Sequence, residues 1–298
     1  MKVILAVNSS AESDLAVKAV ARRPWPANTT VEVLSVVELP YATDVPSLTE
    51  TLNQTADLTV EAAARQLRSC GIRPSTLVLS GNAKAAIVDR AAEIGADLVV
   101  VGSHGVSTGR RFLHGSVARA VIRFAPCSVE LVRNEIGPGA MKILLATDGS
   151  RYSQTAARSV AERPWPAGTE IRIFSVAEYH VRLSESVDQR HFDADGMKAL
   201  KEQAMRRAQE AVTFAEKTIL EGHLPVSGTV VLPSATAKVL ILKEANAWGA
   251  DLIVLGSHGL LGLNRLLLGS VSEAVAMHAR CSVEVIRRSP ESALAFTG

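Results

Sequence analysis

Gly102, Gly105 and Gly115-Ser116 follow the spacing Gly-x2-Gly-x9-Gly-Ser, and Gly256, Gly259 and Gly269-Ser270 repeat it. Each copy comes after an apolar run (Leu98 to Val101; Leu252 to Leu255), and each Gly-Ser opens a helical pattern. Glycines let the backbone approach a bound group, and the first N–H groups of a helix have no partner of their own. A strand-to-helix junction built this way suits an anion, a phosphate above all. One glycine pattern alone is weak; two in the same context are far more specific.

Other residues of chemical interest are simpler. His104 and His258 lie inside the glycine loops, but neither has a carboxylate or nucleophile partner in its repeat. A loop-ordering hydrogen bond is the better reading, and no residue is assigned a catalytic role. Arg111 and Arg265 could reach a terminal phosphate or stand in solvent as loop charges, and Ser107 and Thr108 could contact phosphate like any exposed loop residue. Ser9-Ser10 and Ser150 read as helix N-caps first and ligand contacts second. Arg110-Arg111 and Arg287-Arg288 are isolated pairs and read as solvated surface; with a net charge of +2 they do not suggest nucleic acid. Cys70, Cys127 and Cys281 have neither metal-site nor disulfide spacing, which suits a reducing cytoplasm, and read as small core residues. No Gly-x4-Gly-Lys-Ser/Thr, His-x-Gly-His or Ser-Gly-Gly-x-Asp-Ser sequence occurs.

The elements that carry these residues also occur twice. Met1-Lys2-Val3-Ile4-Leu5 returns as Met141-Lys142-Ile143-Leu144-Leu145, and Arg23-Pro24-Trp25-Pro26 as Arg163-Pro164-Trp165-Pro166. Gly95-Ala96-Asp97-Leu98 returns as Gly249-Ala250-Asp251-Leu252, and Cys127-Ser128-Val129-Glu130 as Cys281-Ser282-Val283-Glu284. The chain is a tandem duplication of roughly 140 residues per unit, a usual domain size. Domains are expected at 1–134 and 141–289, joined by the Gly- and Pro-containing stretch Asn134 to Ala140. A composition of 47% hydrophobic and 21% charged residues supports two ordinary cores, and no apolar run reaches bilayer length. Met1 leads straight into a strand, so no signal peptide is expected.

In the first unit, strands are expected at Lys2 to Val7, Thr30 to Val37, Thr76 to Leu79, Leu98 to Val101 and Ser128 to Val132, with helices between them. In the second they fall near Lys142 to Ala146, Glu170 to Val176, Thr229 to Leu232, Leu252 to Leu255 and Ser282 to Ile286. The alternation predicts parallel α/β units with helices on both faces. The second unit has a polar insertion between Glu178 and Ala204, with Asp193, Asp195 and Gly196 ahead of a long amphipathic helix, Met197 to Leu220. Arg-Pro-Trp-Pro reads as a structural helix stop whose tryptophan covers a sheet edge. In a doubly wound sheet, ligands bind where the strand order reverses. An order 3-2-1-4-5 would bring the glycine loop beside Asn8 or Asp148 at the end of strand 1. Val36 and Val176, ending strand 2, could wall a base or simply close the strand.

With these residues in view, both halves resemble universal stress protein domains. The Gly-Ser-His-Gly starts at 102 and 256 with their nine-residue spacers, the Asp-Gly-Ser at 148 and the Gly-Ala-Asp-Leu lead-ins carry the likeness across nearly the whole chain. The resemblance implies two Rossmann-like, HUP-type domains, each a five-stranded parallel sheet of order 3-2-1-4-5, paired through strand 5 as an intrachain pseudo-dimer. It also implies an ATP-binding branch in which backbone at Gly102, Gly105 and Gly115, or Gly256, Gly259 and Gly269, holds phosphates with Ser116 or Ser270. Asp148 would lie near ribose and any Mg2+, Val36 or Val176 near adenine, and His104 or His258 within the loop. Asn8 departs from the expected aspartate and brings no charge for a hard cation. The expected protein is a cytoplasmic, non-catalytic regulatory ATP sensor. A nucleotide-free interaction module and a slow ATP-hydrolysing or adenylyl-transferring enzyme are the alternatives. Its partners would be an adenine nucleotide, an unidentified protein and a second copy of the chain.

Overall fold

Short runs of valine, isoleucine and leucine form strands here because both of their faces are covered, leaving no polar side to alternate. The computed structural model describes residues 1–39, 46–103, 115–135, 137, 139–179, 194–260 and 268–287. The first half runs β1 (Lys2–Ala6), α1 (Ala11–Arg22), β2 (Thr30–Val37), α2 (Pro46–Ser69), β3 (Ser75–Ser80), α3 (Ala83–Glu93), β4 (Leu98–Gly102), α4 (Ser116–Phe124) and β5 (Ser128–Val132). The second runs β6 (Lys142–Ala146), α5 (Arg151–Glu162), β7 (Glu170–Val176), α6 (Ala194–Glu221), β8 (Val226–Val231), α7 (Ala237–Trp248), β9 (Leu252–Gly256), α8 (Ser270–His278) and β10 (Ser282–Ile286). Two boundaries differ from the sequence pattern. Asp195 and Gly196 lie in the first turn of α6 rather than ahead of it, and Asp193 is outside the described residues. β8 begins at Val226, before the expected Thr229, because it pairs with β7 from Ile171 onward.

The ten strands among the described residues join one sheet in the order β3-β2-β1-β4-β5-β10-β9-β6-β7-β8. Every pairing is parallel except the central one, where β5 meets β10 antiparallel with Glu130 opposite Glu284. On one face a single apolar core runs across both halves, using Val129, Leu131, Val283 and Val285 with Val121, Ile122, Val275 and Ala276 of α4 and α8. On the other face each half keeps its own core, under α1 and α2 or under α5 and α6.

The seam between those two cores is ionic. Arg23 donates to both carboxylate oxygens of Glu130 at 2.7 and 2.6 Å, and Arg163 reaches Glu284 at 2.9 Å. Both carboxylates are buried, at 1% side-chain exposure, so two like charges face each other and each is matched by an arginine. Burial alone would lower the Arg23 pKa, but Glu130, with Glu284 behind it, leaves it raised. The Arg-Pro-Trp-Pro motif therefore serves the centre of the molecule and not a sheet edge, which β3 and β8 form. The Arg23 guanidinium lies 5.5 Å from the ring centres of both Trp25 and Trp165.

Two further expectations are corrected. Arg287 is not solvated surface: it is half-buried and donates to the Ile122 carbonyl at 2.7 Å, while Arg288 lies outside the described residues. Cys127 and Cys281 are core residues, their thiols pushed by burial up to about 12 and about 11, but Cys70 is exposed beyond the end of α2. Among the described residues no helix is long and apolar enough to cross a membrane.

Candidate functional site

The sheet places β6 beside β9, and the chain leaves these strands toward opposite faces, into α5 and α8. That divergence opens a crevice at their carboxyl ends. In the second half the crevice is a cavity of about 940 Å³, at the upper end of the range of small-molecule sites. Asp148, Val176, Gly256, His258, Gly259, Gly269 and Ser270 all line it.

Asp148 ties the site together. Its Oδ1 accepts from the Ser150 amide at 3.0 Å, and its Oδ2 accepts from the Leu260 amide at 3.0 Å, binding the end of β6 to the glycine loop. A Cβ on Gly259 would lie 2.8 Å from that Oδ2, so a side chain there would push the carboxylate away from the loop. Gly256 has a similar role toward the fold: a Cβ would stand 2.6 Å from the Tyr152 carbonyl carbon in the first turn of α5. Both absences of side chain are used by the protein itself, which the reading of a bare phosphate cradle did not foresee.

Gly269 departs further from that reading. Its amide already donates to the Ser257 carbonyl at 2.8 Å. The amides that stay available are the next ones, Ser270, Val271 and Ser272. They begin α8, which no side chain caps, and as first-turn amides they have no acceptor within the helix. The Ser272 hydroxyl, not singled out by the sequence, donates to the Gly256 carbonyl at 2.7 Å and fixes the helix start against β9. By contrast α5 is closed by Ser150, whose hydroxyl accepts from the Ser153 amide.

His258 orders the loop. Its Nδ1 lies 3.0 Å from Ser257 Oγ, its ring packs at 4.8 Å from Tyr152, and its carbonyl accepts from Ser150 Oγ at 3.3 Å. Ser257 is buried at 1% exposure and does not line the cavity, so this Ser–His pair presents no nucleophile to a ligand.

Part of the lining is apolar. Val176, Phe174, Tyr179, Ile241 and the small residues Ala204 and Ala208 of α6 leave room for a flat group. Glu178 accepts from the Ala237 amide at 2.8 Å and so closes the start of α7, as Glu38 does for the Ala83 amide of α3 at 2.7 Å. Two exposed cations, Arg207 on α6 and Lys238 on α7, also line the cavity. Arg207 was hidden in the alternating charges of a long helix.

The universal stress protein family model matches this chain twice, over residues 1–133 and 140–287. The chain belongs to the universal stress protein family. A universal stress protein of Mycolicibacterium smegmatis is 26% identical over 298 residues, covering 96% of each chain. One of Mycobacterium tuberculosis is 32% identical over 198 residues, 65% of this chain and 63% of that protein, which is less than two thirds of its length. Among solved structures, a universal stress protein from Archaeoglobus fulgidus is similar with a TM-score of 0.66 at 20% identity, over 97% of both chains. One from Pseudomonas aeruginosa gives 0.58 at 20% identity, over 96% of this chain and 92% of that one. At such identities these structures speak for the shared fold alone.

The first half of this universal stress protein assembles the same corner differently. Asn8 Oδ1 accepts from the Ser10 amide at 3.1 Å and from Ser13 Oγ at 2.7 Å. Its second side-chain atom is a nitrogen donor, so it cannot accept a loop amide as Asp148 Oδ2 does. Gly102 packs against Glu12 backbone, with a Cβ position 2.8 Å from the carbonyl carbon, and the Gly115 amide donates to Ser103 O at 3.1 Å. Ser116 begins α4, again without a side-chain cap. Val36 is half-buried against the core. His104, Gly105, Ser107, Thr108, Arg110 and Arg111 lie outside the described residues, as does Arg265. The buried stripe Ala56, Val60, Ala63 and Leu67 of α2 recurs as Ala208, Val212, Ala215 and Ile219 of α6, so Thr55 stands where the second half has Arg207.

Proposed function

We propose that this protein is a non-catalytic regulatory sensor that binds an adenine nucleotide, ATP foremost, in the second-half crevice. The observation that carries this is the uncapped start of α8, whose Ser270 to Ser272 amides border the same cavity as Asp148 and an apolar wall. In this reading the α8 amides and the Ser270 hydroxyl hold phosphates, with backbone at Gly256, Gly259 and Gly269 shaping the cradle. Asp148 bonds ribose and offers one carboxylate to Mg2+, Val176 and Tyr179 border the base, and His258 keeps the loop in place. Three charge-assisted bonds at about 1.5–3 kcal/mol each, less at least about 4 kcal/mol for association, fall short of the roughly 8 kcal/mol of micromolar binding. The apolar wall has to supply the rest.

Asn8 favours a different state for the first half, in which Val36, Gly102, His104, Gly105, Gly115 and Ser116 form a weaker or metal-independent site that serves mainly as a folding partner. We assign the domains as 1–134 and 141–289, the location as cytoplasmic, and the output as occupancy-tuned association with a protein partner or a second chain. The test is mass spectrometry of nucleotide released from purified protein, with calorimetry of ATP, ADP and AMP with and without Mg2+. Gly259→Glu drives a side chain toward Asp148 and is expected to remove one equivalent of ATP. Unchanged stoichiometry contradicts the assignment, and steady ATP turnover abolished by one side-chain change favours an enzyme instead.

A further inference from the structure

We infer that Arg133 and Arg287 are positioning residues that work across the pseudo-dimer, each holding the C-terminus of the glycine-loop helix of the opposite half and so setting the nucleotide site there. Arg133 follows β5 in the first half, yet its guanidinium donates to the carbonyl of Ala276 in the last turn of α8 and, at 3.3 Å, to that of Cys281 between α8 and β10. Its backbone amide meets Ser282 Oγ at 3.2 Å, and the neighbouring Asn134 side chain donates to Arg280 O at 2.8 Å. Arg287, following β10, does the same to α4. It donates to the carbonyls of Ile122 at 2.7 Å, Arg123 at 3.2 Å and Cys127 at 3.5 Å, and its amide meets Ser128 Oγ at 3.1 Å.

The chemistry explains why arginine is used. The last carbonyls of a helix have no intrahelical donor and carry the negative end of its dipole. A guanidinium spans several of them at once with its planar fork of donors. Neither arginine has a carboxylate partner among the described residues, so the helix ends themselves compensate the buried charges. Burial pulls both pKa values down to about 10, which leaves them cationic at neutral pH.

The consequence lies at the other end of the helix. α8 is nine residues long, a rod of roughly 13 Å. Its own half fixes its start through Ser272 Oγ and the Gly256 carbonyl, and the first half fixes its end through Arg133 and the Ala276 carbonyl. Glu273 adds a lateral tie, 3.7 Å from both Arg119 and Arg123 of α4. The amides of Ser270 to Ser272 therefore face the cavity at an angle that the first half partly sets. The mirror relation holds for α4 and Arg287, so the tandem arrangement gives each site a contribution from the half that does not contain it.

This inference rests on the nucleotide reading above, and the test separates the two. Ser116→Glu places a carboxylate at the start of α4 and leaves only the second-half site for ATP. In that background Arg133→Met is expected to weaken ATP binding about three- to tenfold by calorimetry, whereas Arg287→Met, equally buried and nearer in sequence to that site, changes it by less than about twofold. Arg133→Lys should recover part of the loss. Equal losses in the two methionine variants, or no loss in Arg133→Met, overturn the inference. If the parent protein binds no ATP, the nucleotide reading fails and hydrogen exchange decides the rest. Faster exchange confined to α8 in Arg133→Met and to α4 in Arg287→Met upholds the crossed clamp; the same pattern in both variants refutes it. Should Arg133→Met not fold, Arg133→Lys is compared with Arg287→Lys: a loss confined to Arg133→Lys upholds the clamp, and equal losses or none overturn it.

Discussion

Asp148 and Asn8 occupy the same place in two copies of one unit, and a single atom separates what they can do. The carboxylate accepts on both oxygens, from the Ser150 and Leu260 amides, whereas the amide has one acceptor, already used by Ser10 and Ser13. Asp148→Asn is therefore expected to release the Leu260 amide and weaken ATP binding by about tenfold or more, the worth of one charge-assisted bond. Calorimetry with an unchanged dissociation constant would refute that role. Asn8→Asp should raise Mg2+-dependent affinity in the first half, and an identical titration with and without the metal would rule that out. The cysteines give an independent check on packing. Cys70 is exposed, and burial keeps Cys127 and Cys281 protonated at neutral pH. A thiol reagent should modify one cysteine per folded chain and three after denaturation; two or more in the folded protein would contradict the burial of β5 and β10.

At the scale of the elements, the ion pairs under β5 and β10 matter most. Glu130→Ala would leave Arg23 buried without its partner, a loss of about 3–5 kcal/mol in urea unfolding. Replacing both, Arg23→Met with Glu130→Leu, should recover most of it, since apolar pairs of similar volume often match a buried ion pair. A double variant as unstable as the single one would show that the charges themselves are needed to seat the two halves. The strands were legible in the sequence because doubly covered strands must be apolar throughout, and the Gly-Ser junctions announced α4 and α8. The seam was not legible. Arg23 reads locally as part of a helix stop, and Glu130 as an ordinary polar alternation in Cys-Ser-Val-Glu; nothing nearby says that they meet. The site was legible in outline and misread in detail for a similar reason. The spacing found Gly259 and Gly269 but could not reveal that Asp148 fills the space at the first, or that Ser257 already takes the amide of the second. Arg207 gave no signal at all, being one charge among many on an amphipathic helix.

For the molecule as a whole, the ten-stranded sheet makes the two halves mechanically one. A shared core covers one face of the β5–β10 junction, and the buried ion pairs fill the other. Separating the halves would expose Val129, Leu131, Val283 and Val285 and bring to the surface two buried ion pairs, each held within one half. Exposing that shared apolar surface opposes separation, and the halves should lose structure together despite being duplicated domains. A single urea transition is expected, with β5 and β10 the slowest to exchange amide hydrogens and the edge strands β3 and β8 the fastest. A ligand bound only in the second half then stabilises the first as well. At a hundred times its dissociation constant ATP should raise the one transition by about 2.7 kcal/mol, read equally from probes in either half. Two resolved transitions, with ATP shifting only the later residues, would mean that the junction is a contact between independent domains and not the centre of a single cooperative structure.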